Sequence, residues 1–311
     1  MRRTIPLAVL AALALLLAGC SGAPEPATTS TTASSPSTTP APSTTPALPA
    51  TPSASASSTG AVYLALGDSL AAGYQPGGTE LRDTAYPALA AKRLDAAGAA
   101  LVVDNLSCSG ETTTTMIKGG KCDLAKGSQL EAAEAALAAA KGNVALVSID
   151  IGGNDLLRCV KGSATIDTAC VAKGVATVKQ NLPEILDRIR SAAGNDVPVL
   201  VLGYYNPWLA ARALDQPVQG VAEAAKAYTQ LSRAIEKAAR ASGTTFVSLD
   251  DAFATTDTTP TKVGGRTVPE NAARICTLTN LCTAGDIHFT DEGAATVGRV
   301  VADAAKASGV G

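Results

Sequence analysis

The stretch Val62-Tyr63-Leu64-Ala65-Leu66-Gly67-Asp68-Ser69-Leu70 decides how this chain reads. Its first five residues form an apolar run of strand length, ended by Gly67. A continuous apolar run, without polar alternation, belongs to a strand covered on both faces. Ser69 then stands where the strand turns into a helix, so its hydroxyl projects at the sheet edge. Serine there serves as a helix N-cap, and the same position suits a nucleophile. A nucleophilic serine needs an imidazole to take its proton. The chain has one histidine in 311 residues, His288, within Asp286-Ile287-His288. The pairing of Ser69 with His288 is the hypothesis that the rest of the sequence tests.

Outward from this stretch, strand-like runs recur at Leu101–Leu106, Val144–Ile151, Val197–Leu202 and Thr245–Leu249. Helical patterns separate them at Pro87–Ala97, Gln129–Ala140, Val171–Ala193 and Gln219–Ala241, and Thr290 caps a last helix with Asp291 and Glu292 in its first turn. Ser128 and Glu131 predict a capping box, and Pro183 predicts a kink or restart. Strands alternating with helices predict an α/β fold: a parallel sheet with helices on both faces. Ligands of such sheets bind at the carboxyl ends of the strands. Gly67-Asp68-Ser69, Asn105 to Gly110 and Gly153-Asn154-Asp155 all fall there. Tyr204, Tyr205 and Trp208 follow strand four on the same rim and are candidate pocket residues. The segment from Asp251 to Cys282 reads as a loop that shapes the entrance.

The remaining sequence sets the context. Arg2 and Arg3 precede an apolar run from Ile5 to Leu17, a secretory signal over residues 1–20. Leu17-Ala18-Gly19-Cys20 resembles the bacterial lipoprotein box, which makes Cys20 the expected site of lipidation and a membrane anchor. Residues 21–60, rich in Ser, Thr, Pro and Ala, cannot bury enough apolar surface to fold and read as a disordered tether. Residues 61–311 then form one domain of α/β size. Charge is near balance, 25 basic against 27 acidic residues, and no basic cluster suggests nucleic acid. Six further cysteines, an even number behind a signal peptide, indicate disulfides in an oxidising compartment. Among fifteen pairings the nearest-neighbour set (Cys108–Cys122, Cys159–Cys170, Cys276–Cys282) is expected, because each pair flanks a loop-like stretch. No Cys-x-x-Cys spacing supports a zinc site.

The residues together resemble the SGNH hydrolases, or GDSL esterases and lipases. The four residues of that name occur in order: Ser69 in Gly-Asp-Ser-Leu, Gly110 closing Asn105-Leu106-Ser107-Cys108-Ser109-Gly110, Asn154 in Gly-Gly-Asn-Asp, and His288. The resemblance spans residues 61–311, and three loop-stapling disulfides are similar to those of secreted lipases in the family. It implies a three-layer α/β/α fold of flavodoxin-like type with a five-stranded, mostly parallel sheet. It also implies a carboxylic-ester hydrolase without metal or cofactor, with Ser69 as nucleophile and His288 as general base. Ser69, Gly110 and Asn154 would form the oxyanion hole, and Asp68 would brace the serine loop, as Asp155 would its own. The family spacing Asp-x-x-His is broken here by Gly285. Asp286, two residues before His288, is the expected orienting carboxylate if the segment curls; a backbone carbonyl is the alternative. Phe289, where family members often carry proline, suggests a local difference in this loop. The expected substrate is an acyl ester of a small molecule, lipid or glycan, met by a monomer tethered outside the cytoplasm or secreted. The competing class is an inactive lipoprotein of the same fold that binds a glycan or lipid.

Overall fold

The computed structural model describes residues 60–161, 165–214 and 220–311. The expected leader, Cys20 and the tether up to residue 59 lie outside the described residues, as does the expected helix start at residue 219. Five parallel strands form the central sheet: β1 (Ala61–Gly67), β2 (Leu101–Asn105), β3 (Val144–Asp150), β4 (Val199–Leu202) and β5 (Thr245–Val247). Their order across the sheet is β2-β1-β3-β4-β5. The chain leaves β1 in one direction to make β2 and returns on the other side to make β3. That reversal opens a crevice at the carboxyl ends of β1 and β3, where doubly wound sheets hold ligands.

Alternate residues of each strand face opposite layers. Leu64, Leu66, Val147, Ile149, Val199 and Val201 pack on one side against helices Gln129–Ala139, Thr168–Ala193 and Val221–Ala241. Tyr63, Ala65, Leu146, Leu200 and Leu202 pack on the other against Tyr86–Asp95 and Asp291–Ala307. Both faces of the inner strands β1, β3 and β4 are largely buried, which is why those strands read as apolar runs, while the edge strands β2 and β5 are half-buried.

The helix Thr168–Ala193 runs as one element through Pro183, without the restart that is one of the two expectations at that residue. Its apolar stripe, including Val178, Leu182 and Ile185, is buried on both sides of the proline, and that packing offsets the missing N–H. At Gln129–Ala139, Ser128 Oγ accepts the Glu131 N–H at 3.1 Å. A full capping box forms instead at Thr113–Lys118, between Thr112 and Thr115. The segment 251–282, expected as loop, is largely folded. It holds a hairpin (Pro260–Val263 with Arg266–Pro269) and helices Glu270–Leu278 and Leu281–Ala284. Val268, Ala272 and Ala273 form a small apolar core with Ala213 of the helix Ala211–Leu214. All three nearest-neighbour disulfides are formed. Among the described residues no helix is long and apolar enough to cross a membrane.

Candidate active site

β1 ends at Gly67 with φ +132°, and a Cβ there would collide with the Asp150 backbone carbonyl. The next residue, Asp68, and not Ser69, caps the short helix Ser69–Ala72. Asp68 Oδ1 accepts the Leu70 N–H at 3.0 Å and its Oδ2 accepts the Tyr204 hydroxyl at 2.6 Å. The serine hydroxyl is thereby released from capping. Ser69 Oγ lies 2.8 Å from His288 Nε2, across 219 residues of sequence.

The other side of the imidazole meets Asp286. Oδ1 of that carboxylate lies 2.6 Å from His288 Nδ1 and accepts the His288 backbone N–H at 2.8 Å. The second bond supplies the curl: the aspartate folds back onto the backbone two residues ahead, as Asp does in turns. A carboxylate accepts, so the ring proton belongs on Nδ1 and the Nε2 lone pair faces Ser69. Asp286 is 2 % exposed, and these two bonds offset the cost of burying it. The structure thus brings Nδ1 to the carboxylate and not to a backbone carbonyl.

Several groups hold the histidine loop. Asn280 donates to the His288 carbonyl through its backbone N–H at 2.9 Å and through Nδ2 at 3.3 Å. Tyr205 donates its hydroxyl to the Ile287 carbonyl. The Phe289 ring is buried beside Tyr205 and Phe253, where proline would leave a gap. The Tyr74 ring lies against the imidazole, with centroids 4.4 Å apart.

Gly110 and Asn154 approach by different routes. The loop after β2 is tied to the serine strand by Cys108 N–H, which donates to the Gly67 carbonyl at 3.2 Å. Glu111 N–H closes a turn onto the Cys108 carbonyl at 3.3 Å, with Gly110 at φ +80° in its third position. That conformation suits glycine. Asn154 lies in the first turn of Gly153–Leu157, beyond β3, and lines the cleft with Ser69. One of its two amide hydrogens donates to the Glu111 carbonyl at 3.0 Å. Asp155, fully buried, accepts from Thr113 N–H and Oγ1, both at 2.9 Å, and so locks this helix to the next segment of the Gly110 loop.

Two clefts flank Ser69. One, on the imidazole side, is lined by Tyr74, Gln75, Thr84, His288 and Asp291 among others. The second, on the Asn154 side, is mainly apolar: Leu70, Leu157, Tyr204, Tyr205, Pro207 and Ile287 contribute. Tyr204 and Tyr205 therefore do line a cleft, but their hydroxyls are used to brace the serine and histidine loops. Trp208 and the segment 251–282 line neither cleft.

Below the serine turn lies a buried acidic layer. Asp150, at the end of β3, accepts the Tyr86 hydroxyl at Oδ1 at 2.9 Å, and its buried Oδ2 has no hydrogen-bond partner among the described residues. Burial above all, then the neighbouring Asp68 charge, push its carboxyl well above the usual carboxylate range.

The sequence reading missed Glu111, Gln129, Tyr74 and Asn280. Gln129 left a trace: it heads the helical stripe Gln129-Ala133-Leu137, an amide on an otherwise apolar face. Tyr74 carries no such mark, because its partner His288 is distant in sequence, nor does Asn280, whose partners eight and nine residues on are backbone carbonyls of no fixed sequence pattern.

A family model described as GDSL-like Lipase/Acylhydrolase matches residues 65–296. No curated protein matches the chain. Among solved structures, the extracellular lipase from Streptomyces rimosus is 22 % identical with a TM-score of 0.52; the match covers 78 % of this chain and 99 % of that one. That likeness bears on the fold. Phospholipase A1 from Streptomyces albidoflavus is 22 % identical over 79 % of this chain and 99 % of that one, with a TM-score of 0.45.

Proposed function

The chain belongs to the GDSL-like lipase/acylhydrolase family, and from that premise we propose that it is a serine carboxylic-ester hydrolase working through an acyl-enzyme on Ser69. One observation carries the reading: a continuous hydrogen-bonded line from Ser69 Oγ through the imidazole to Asp286, at 2.8 Å and 2.6 Å. Ser69 attacks the ester carbonyl while His288 Nε2 takes its proton. Asp286 holds the ring in the productive tautomer and steadies the imidazolium. The Ser69 and Gly110 N–H groups and the second Asn154 amide hydrogen receive the oxyanion. His288 then protonates the departing alcohol, and water, activated by the same ring, releases the acid from Ser69.

The leaving alcohol takes its proton from Nε2, so it belongs in the cleft beside the imidazole, among Tyr74, Gln75, Thr84 and Asp291. The acyl chain then enters the apolar cleft beside Asn154. An ester with a polar alcohol and an apolar acyl group fits this division. The three disulfides agree with an extracytoplasmic enzyme, anchored through Cys20 as the lipoprotein-like box suggests.

The test is hydrolysis of p-nitrophenyl acetate and longer acyl esters by the wild type and by Ser69→Ala. Turnover should be present in the first and fall to background in the second. Equal slow background from both proteins would favour a binding protein of the same fold.

A further inference from the structure

Gln129 is fully buried and joins three segments. Its Oε1 accepts the Gly67 N–H at 2.7 Å, and its Nε2 donates to the Gly67 carbonyl at 3.0 Å. A side-chain amide here replaces a backbone partner at the end of β1, two residues before Ser69. Nε2 also donates to Glu111 Oε2 at 3.1 Å. Glu111 is 1 % exposed, and the same oxygen lies against Cys122 Sγ of the Cys108–Cys122 disulfide. Its other carboxyl oxygen, Oε1, has no partner, which is costly for a group that only fills space. The Glu111 backbone is engaged as well. Its N–H closes the turn that sets Gly110, and its carbonyl receives Asn154 Nδ2.

From this geometry we infer that Glu111 and Gln129 are positioning residues for the oxyanion site. The side-chain pair ties the backbone before Ser69 to Glu111, whose own backbone N–H and carbonyl hold the turn of Gly110 and the amide of Asn154. Each donor arrives on a different segment, after β1, β2 and β3, and nothing in the sheet ladder fixes their mutual distance at the reacting oxygen. Donors must match the oxyanion to within a fraction of an ångström, and a misplacement of about 1 Å can cost ~10²-fold. The pair does not touch substrate. It acts through Gly67, Gly110 and Asn154.

The inference rests on the ester-hydrolase reading, and the experiment separates the two. Measure kcat and KM on p-nitrophenyl acetate for wild type, Gln129→Met, Asn154→Ala and the double variant, with near-ultraviolet circular dichroism to verify folding. Gln129→Met keeps the length and loses the three hydrogen bonds. It should lower kcat ~10–100-fold at unchanged KM. In the Asn154→Ala background the same change should cost less, because one donor that it aligned is already gone. Glu111→Ala and Glu111→Gln form a second pair. The glutamine retains an oxygen for Gln129 Nε2 and should lose less activity than the alanine; this pair decides the matter if Gln129→Met does not fold. Folded variants with wild-type kcat, or equal losses of Gln129→Met in both backgrounds, or equal losses for the Glu111 pair, would overturn the inference and leave the hydrolase standing. A wild type without Ser69-dependent turnover removes both.

Discussion

Asp286 shows how much depends on a single side chain's second bond. At two residues from His288 it is too close for an extended segment to bring it under the ring. Its hydrogen bond to the His288 N–H creates the bend that makes the first contact possible. In Asp286→Asn one atom again meets both the His288 N–H and Nδ1. With the amide oxygen there the imidazolium loses its countercharge; with N–H₂ there the backbone bond is lost and the ring takes the tautomer with its proton on Nε2, facing Ser69. We expect kcat on p-nitrophenyl acetate to fall ~10⁴-fold with little change in melting temperature. Near-wild-type turnover would assign the orienting role elsewhere. Tyr74 contributes at the same scale, for its ring limits how far the imidazole swings.

Among the elements, the ends of β1 and β3 and the helices that follow them carry much of the candidate site, and their strand ends meet over buried acid. Asp150 retains its proton in the folded chain at pH values where an unfolded aspartyl has lost it. Over the window from the ordinary value near 3.8 up to its raised value, the folded state therefore binds more protons than the unfolded state. Stability contributed by this group is full below that window and is lost as pH rises through it. Asp150→Asn keeps an acceptor for Tyr86 but does not titrate. The melting temperature of the wild type relative to Asp150→Asn should thus decline as pH rises through the window. A pH-independent difference would show that Asp150 is ionised in both states. Of this layer only Asp68 is expected from the sequence, as the brace of the serine loop. Asp150 reads in the sequence only as the polar end of a strand; the burial that shifts it is a tertiary property, and its acidic neighbour Asp68 is 82 residues away. The strands themselves were legible to within two residues, because burial on both faces imposes one apolar pattern on them.

For the whole molecule, the legible part was what local chemistry imposes: alternation of strands and helices, cap residues, and three short cysteine separations of 14, 11 and 6 residues. The folded core of segment 251–282 was not, because its apolar residues are few and its turns rich in Thr, Gly and Asp. Chain-entropy reasoning assigns each disulfide about 2–3 kcal/mol, the longest loop most, against a typical total stability of about 5–15 kcal/mol. Reduction should therefore lower the melting temperature by well over ten degrees, and Cys108→Ala/Cys122→Ala should cost more than Cys276→Ala/Cys282→Ala. Melts with and without reductant check the first, and denaturant titration of the two variants the second. The solitary imidazole has a practical consequence beyond catalysis. With no other imidazole in 311 residues, the imidazole C–H signals in a one-dimensional NMR spectrum of unlabelled protein belong to His288. Under the proposed mechanism their chemical shifts report protonation, inhibitor arrival and acylation of the neighbouring Ser69, a spectroscopic probe already seated in the candidate site.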